Sequence, residues 1–326
     1  MSKSITFSSV LAPYINGIIQ EKRSLGYDYR TEELVLLRFD NYCLIHGLNT
    51  INVSKTFLGK WCEQTDTEGV SNHNKRVTVV RQLMLFMASM GATVYLPRCI
   101  SRKDIILPHI FTVQERSAFF KAADSYRPLR QIPAYIRLSC EYRVLFRMIY
   151  CCGLRNTEAC GIPADCIGLE TGAITIYNSK GNKDRTVFMS DDLTELCKKY
   201  FSYLCCALGS HPTWFFPGRD PAKPLVNTSV DRVFNKFWLM TPDAGYCNNK
   251  PTVHDLRFSF VTDRINEWAL RGIDLNRMMP YLSRYLGHKG LQEIYYYYHN
   301  SKQLHDIIRM NDKTSGNVIP EVPDYE

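Results

Sequence analysis

Between residues 95 and 108 the helical periodicity of the preceding sequence lapses, and Pro97 and Pro108 bracket a basic stretch holding Arg98, Arg102 and Lys103. Prolines interrupt helices, and a stretch with few spaced apolar residues joins neither of the cores on either side, so this segment reads as an interdomain linker. A chain of 326 residues is long enough for two domains, each able to bury its own core, and the linker favours that division over a single domain. The expected limits are 1–95 for the first domain, 96–111 for the linker and 112–312 for the second domain. A loose tail rich in proline and acidic residues is expected over 313–326.

The first domain reads as four helices with short links and no strand signal. Ser8 and Ser9 stand where a cap is expected, before Leu11, Tyr14, Ile15 and Ile18 on one face, and Gly26 marks the end. A second helix starts after Thr31 and carries Leu34, Leu37 and Tyr42. A third, over 54–63, holds Phe57, Leu58 and Trp61, and a fourth runs over 71–90 to Gly91. The fourth helix sets Lys75, Arg76 and Arg81 opposite Val77, Val80 and Leu83, as an ordinary solvated face or as phosphate contacts.

Thr112 and Glu115 form a capping-box pattern that opens the second domain. Helical spacing follows over 113–124, 136–152, 191–208, 229–239, 254–268 and 275–286. Residues 173–177 and 186–189 alternate as strands around a polar turn that holds Lys180, Lys183 and Arg185. The fold class is therefore mainly α with a small β-sheet, the hairpin having a basic tip.

A net charge of +8 favours an anionic partner without requiring one. The twelve cysteines lie in apolar runs without paired metal-ligand spacing, so reduced thiols and no metal site are expected. No apolar run has membrane-spanning length, and Met1-Ser2-Lys3-Ser4 leads directly into a helical pattern without an apolar signal core. The expected location is the cytoplasm.

The residues able to do chemistry are spread along the second domain. Arg155 follows Gly153-Leu154, with Glu158 three residues on. His254 and Arg257, three apart, share a helix face, and His288 follows Leu286-Gly287. Tyr295, Tyr296, Tyr297 and Tyr298 then precede His299. Taken singly, each is more simply a surface helix pair, a satisfied histidine or a packed aromatic. Taken in order, they resemble the active-site set of the tyrosine recombinases, the family of the phage integrases. Ser179-Lys180-Gly181-Asn182-Lys183-Asp184-Arg185 resembles that family's hairpin, with Ser179 where glycine is usual. Phe258 stands where a histidine is frequent.

The resemblance implies an N-terminal four-helix core-binding domain of the SAM-like class and an α+β catalytic domain, closed around DNA as a clamp. It implies a side-chain nucleophile that stores the cleaved phosphodiester as a protein ester, with neither metal nor ATP and no cofactor. Arg155 and Arg257 would meet the charge on the non-bridging oxygens. Lys180 would be the general acid, with Lys183 and Arg185 as backbone contacts or hairpin supports. Glu158 would support Arg155, and His254 and His288 would address the phosphate. In the family pattern the nucleophile follows the second histidine by nine and precedes another by two. Tyr297 satisfies both, through His288 and His299. Successive helical side chains diverge, which turns the other three tyrosines toward packing.

The implied partners are double-stranded recombination sites, a homotetramer in the synaptic complex from a protein monomeric when free, and accessory DNA-bending or directionality proteins. The protein would lie on the bacterial nucleoid when bound. Leu304, Ile307 and Ile308 form an apolar face suited to docking on a neighbouring protomer. Two other functions share parts of this pattern. A type IB topoisomerase would relax supercoils as a monomer, and a non-cutting accessory protein would bind DNA in a salt-sensitive way without a covalent adduct.

Overall fold

A computed structural model describes residues 5–100, 108–179, 183–247, 250–288 and 290–294. The chain divides into two compact units, 1–106 and 107–326. Among the described residues the first unit is helical throughout, with α1 (Ala12–Ser24), α2 (Arg30–Ile45), α3 (Lys55–Trp61) and α4 (Val70–Ser89). Its core gathers Leu11, Ile15, Leu36, Phe39, Leu83 and Met87, each fully buried.

The start of α1 has a local and a tertiary cap, for the Ser9 hydroxyl accepts the Leu11 N–H at 3.2 Å. Leu11 occupies the cap position. Ser9 also joins Ser8 in binding Asp40 of α2, whose carboxylate accepts the Ser8 N–H at 2.8 Å, the Ser9 N–H at 3.0 Å and the Ser9 hydroxyl. Asp40 is buried, so truncating it leaves donors without partners away from water. Asp40→Ala should cost roughly 2–4 kcal/mol of stability in the first unit, read from urea denaturation of the full chain. A midpoint unchanged from the wild type would show that water replaces the carboxylate.

The segment expected as linker is stitched to the first unit over part of its length. Asn74 bonds Ile100 in both directions at 2.9 and 3.0 Å, and Arg81 donates to the Pro97 carbonyl at 2.8 Å. On the other side, Phe111 is buried and its N–H donates to Ser259 at 2.9 Å, which ties the start of the second unit to a helix far along the chain.

The second unit comprises α5 (Val113–Ser125), α6 (Pro133–Cys152), α7 (Asn156–Cys160), α8 (Asp191–Leu208), α9 (Asn227–Leu239), α10 (Val253–Leu270) and α11 (Leu275–Leu286). Thr112 and Glu115 close the expected capping box. Phe119, Phe146, Phe234, Phe237 and Trp238 form an aromatic centre between α5, α6 and α9. A second cluster, with Val261, Ile265, Leu282 and Leu286, locks α11 onto α10.

Strands β1 (Ile167–Gly168), β2 (Ala173–Ser179) and β3 (Lys183–Phe188) form an antiparallel sheet in sequence order. The hairpin strands reach nearer the turn than alternation indicated, because the ladder resumes at Ser179 and Lys183 beyond an irregularity after Ile176. The register pairs Ile174 with Val187 and Ile176 with Arg185. Ile174, Ile176 and Val187 are all buried, so Arg185 shares the inward face of the sheet.

Candidate active site

Helix α6 stops at Gly153, whose left-handed φ of 61° suits glycine. A side chain there would also collide with Phe260, 2.6 Å from an added Cβ. The turn delivers Arg155 in extended conformation to the cap position of α7. Glu158, one turn on, accepts the Arg155 backbone N–H at 2.9 Å and its guanidinium at 2.7 Å. Arg155 also donates to the Gly287 carbonyl at 3.1 Å, across 132 positions.

Arg257 reaches the same turn from α10. That helix begins where Asp255 accepts the Thr252 N–H at 2.7 Å and its hydroxyl at 2.9 Å. Arg257 is 1% exposed, and its guanidinium donates to Gly153 O at 2.6 Å and Leu286 O at 2.8 Å. The same group lies 4.0 Å from Glu158. The left-handed turn at Gly287 thus presents the last carbonyls of α11 to both arginines, the helix end where cations are favoured.

His288 is buried beside this cluster, with Nε2 3.1 Å from an Arg257 terminal nitrogen. A guanidinium only donates, so Nε2 is the acceptor and the ring proton sits on Nδ1. Burial and then the Arg257 charge push the His288 pKa down to about 4, so the ring is neutral at physiological pH. The unfolded chain takes up a proton near pH 6.5 while the folded chain resists until about pH 4. This contribution to stability is intact above about pH 6.5 and declines as pH falls toward 4, by about 3 kcal/mol in all. Urea midpoints at pH 7 and pH 5 should therefore converge in His288→Gln relative to the wild type; equal pH slopes in both proteins would contradict the assignment.

Glu158 gathers the guanidiniums. Arg185 grips it with two parallel bonds, 2.9 Å to Oε1 and 2.7 Å to Oε2, and Arg155 and Arg257 approach the same carboxylate. Burial alone would raise its pKa, but the bonds and charge of Arg185, then those of Arg155, outweigh it and hold the carboxylate well below its usual range. Arg185, read from the sequence as a backbone contact or hairpin support, therefore faces the cluster. The available signal was its parity with Val187 on the inward face of β3.

His254 occupies the first turn of α10 and is exposed. Its ring meets Phe258 edge-on at 5.0 Å, which shows what the departure at position 258 does: it flanks His254 with an aromatic wall. Beside the cluster opens a cleft of about 840 Å³ lined by Arg185, Thr186, Tyr281, Arg284 and His288. Lys180, Tyr297, Leu304, Ile307 and Ile308 lie outside the described residues, as does the side chain of Lys183.

The basic face of α4 is more committed than its spacing implied. Arg76 donates to both oxygens of Glu68, at 2.9 and 2.7 Å, bonds the Trp61 and Glu63 carbonyls and stacks on the Trp61 ring. A guanidinium held in this way braces α3 against α4, and Arg81 fastens Pro97. Lys75 is exposed. Among the described residues, no group of three or more histidine, cysteine or acidic side chains could hold a metal ion. No described helix is long and apolar enough to cross a membrane.

The profile of the phage integrase family matches residues 121–304, more than half of the chain. The chain belongs to this family. The match spans Arg155, Glu158, Arg185, His254, Arg257 and His288 together with Lys180 and Tyr297. The chain is 27% identical over 282 residues to the tyrosine recombinase XerA of Pyrococcus furiosus, covering 79% of this chain and 86% of that protein. Among solved structures it resembles the XerH site-specific recombinase in a post-cleavage complex with a palindromic difH substrate. That match has a TM-score of 0.62 at 18% identity and covers 91% of this chain and 84% of the other. It also resembles a subunit of the lambda integrase tetramer bound to a Holliday junction, with a TM-score of 0.60 at 15% identity over 88% of this chain and 79% of the other. These likenesses agree with the expected fold class, a mainly helical chain with a small sheet and a tyrosine recombinase catalytic fold.

Proposed function

We propose that this family member is a site-specific DNA recombinase that breaks and rejoins duplex DNA through a 3′-phosphotyrosine intermediate, in integration, excision or transposition. The observation that carries the reading is the convergence of Arg155, Arg257 and His288 on one turn, through bonds that span 132, 104 and 31 positions of the chain. Paired forked cations suit a phosphoryl centre whose charge grows on its non-bridging oxygens. His254 and His288 would add hydrogen bonds to the same oxygens, and Glu158 holds Arg155 in place.

In the proposed reaction the Tyr297 phenol loses its proton to solvent and its oxygen bonds to phosphorus as the bond to the 5′-oxygen breaks, while Lys180 passes a proton to that leaving oxygen. The second step runs in reverse: a 5′-hydroxyl attacks phosphorus, gives its proton to Lys180 and releases the tyrosine oxygen, which regains a proton from solvent. The ester conserves the energy of the broken bond, so strand joining needs no ATP. DNA sites are the proposed partners, with the first unit contacting backbone phosphates through residues such as Lys75. Strand exchange between two duplexes requires four cleaving subunits, for which the lambda integrase tetramer is the parallel.

The test is to incubate the protein with nicked suicide duplexes cut from the DNA that flanks its own coding sequence, then map any covalent peptide by mass spectrometry. A 3′-phosphate on Tyr297 supports the reading. Salt-sensitive binding with no adduct, on a site verified by footprinting, would favour a non-cutting accessory protein. Relaxation of supercoils without strand exchange would favour a topoisomerase.

A further inference from the structure

We propose that Arg185 is a positioning residue for the arginine clamp: by holding both oxygens of Glu158 in its fork, it lets that carboxylate fix Arg155 without cancelling the clamp's positive charge. The inference rests on the recombinase reading of the same site. Its basis is the geometry around Glu158, where three guanidiniums share one carboxylate.

A carboxylate beside a catalytic arginine has two opposing effects. It orients the guanidinium through a directional bond, and it also neutralises the charge that the transition state needs. A phosphodiester enters the reaction with one negative charge and acquires a second as the pentacoordinate species forms. Arg155, Arg257 and Glu158 alone carry a formal charge of +1; Arg185 restores +2, which matches the two negative charges of the pentacoordinate species. Its fork also sets the plane of the carboxylate, with 2.9 and 2.7 Å bonds to separate oxygens, so that Oε1 is presented to Arg155 at 2.7 Å.

The location of Arg185 is built into the fold. Its side chain is 7% exposed, and its register opposite Ile176 puts it on the inward face of the sheet. Its stem crosses Gly287, where an added Cβ would lie 3.3 Å from the arginine Cδ and 3.1 Å from a terminal nitrogen. The Gly287 carbonyl in turn accepts the second bond of Arg155. Arg185 therefore touches both anchors of Arg155 and acts on the phosphate only through them.

The experiment compares wild type, Arg185→Met and Arg185→Lys in single-turnover cleavage of the duplex captured by the suicide assay. A second probe is the same duplex with a neutral methylphosphonate at the scissile position. On the phosphodiester, Arg185→Met should cleave on the order of 10²-fold more slowly, as expected for a displaced catalytic group. Its DNA affinity should stay near that of wild type, and Arg185→Lys, which keeps the charge and loses the fork, should recover part of the rate. On the methylphosphonate, whose transition state carries one negative charge fewer, the deficit should shrink to within roughly tenfold. An equal deficit on both linkages would overturn the proposal. So would a loss confined to DNA affinity, which would make Arg185 a backbone contact. If Arg185→Met fails to fold by circular dichroism, Arg185→Gln, which also removes the charge but keeps a hydrogen-bond donor for Glu158, carries the same comparison between linkages. Absence of an adduct with wild type would sink the recombinase reading and the role of Arg185 with it, whereas the other contrary outcomes remove only the latter.

Discussion

Tyr297→Phe is expected to abolish the covalent protein–DNA adduct while leaving DNA binding unchanged. The substitution removes one oxygen and keeps the ring, so the proposed nucleophile alone is lost. Without it, the phosphodiester has no side chain to which it can be transferred, and the rate of adduct formation should fall by more than about 10⁴-fold, as when other covalent catalysts lose their nucleophile. Tyr296→Phe and Tyr298→Phe serve as internal comparisons. The helix expected from the sequence sends each neighbouring side chain off in a direction about 100° away, which leaves Tyr297 as the nucleophile. Both variants should retain adduct formation within roughly tenfold of wild type. The readout is an SDS-stable band on a nicked duplex. An adduct that persists in Tyr297→Phe and disappears in one of its neighbours would move the nucleophile to that neighbour.

Arg257→Ala should lower cleavage on the order of 10²–10³-fold per folded molecule, the usual consequence of removing one preorganised donor from a developing oxyanion. It should also destabilise the second unit. The Arg257 guanidinium satisfies the carbonyls of Gly153 and Leu286 at 2.6 and 2.8 Å, and its loss leaves two acceptors in a buried setting at about 1–3 kcal/mol each. The two effects separate when the folded fraction is measured by urea denaturation beside the cleavage assay. Arg257→Lys keeps a charge but cannot reach both carbonyls and the phosphate with one ammonium, so it should recover only part of either loss. A folded Arg257→Ala protein that cleaves at the wild-type rate would exclude Arg257 from the clamp.

Much of the local framework was legible in the sequence because it depends on nearest neighbours along the chain. Thr112 and Glu115 announced the cap of α5, the spacing of Arg155 to Glu158 announced a contact within one turn, and alternation exposed the hairpin. The order of the polar residues also announced the family to which the chain belongs. Local rules were incomplete at Ser9, whose hydroxyl accepts the Leu11 N–H as a cap would and which also bonds Asp40 across 31 positions. They failed at Arg76, which a helical wheel places on a solvated face and which Glu68 and Trp61 hold in the structure.

What the sequence determined by itself was therefore which side chains are present, which neighbours share a helix face or a side of a strand, and in what order the candidate catalytic groups appear. The tertiary structure alone decided that Arg257 meets a carbonyl 104 positions away, that burial and the Arg257 charge push the His288 pKa down, and that Arg185 shares Glu158 with Arg155. Side-chain spacing follows from backbone geometry, which is local and repeats in every helix and strand. A charge state or a three-way ion pair depends on the distances and burial created when remote segments pack, and those quantities do not exist until α6, α10, α11 and β3 have closed around one turn.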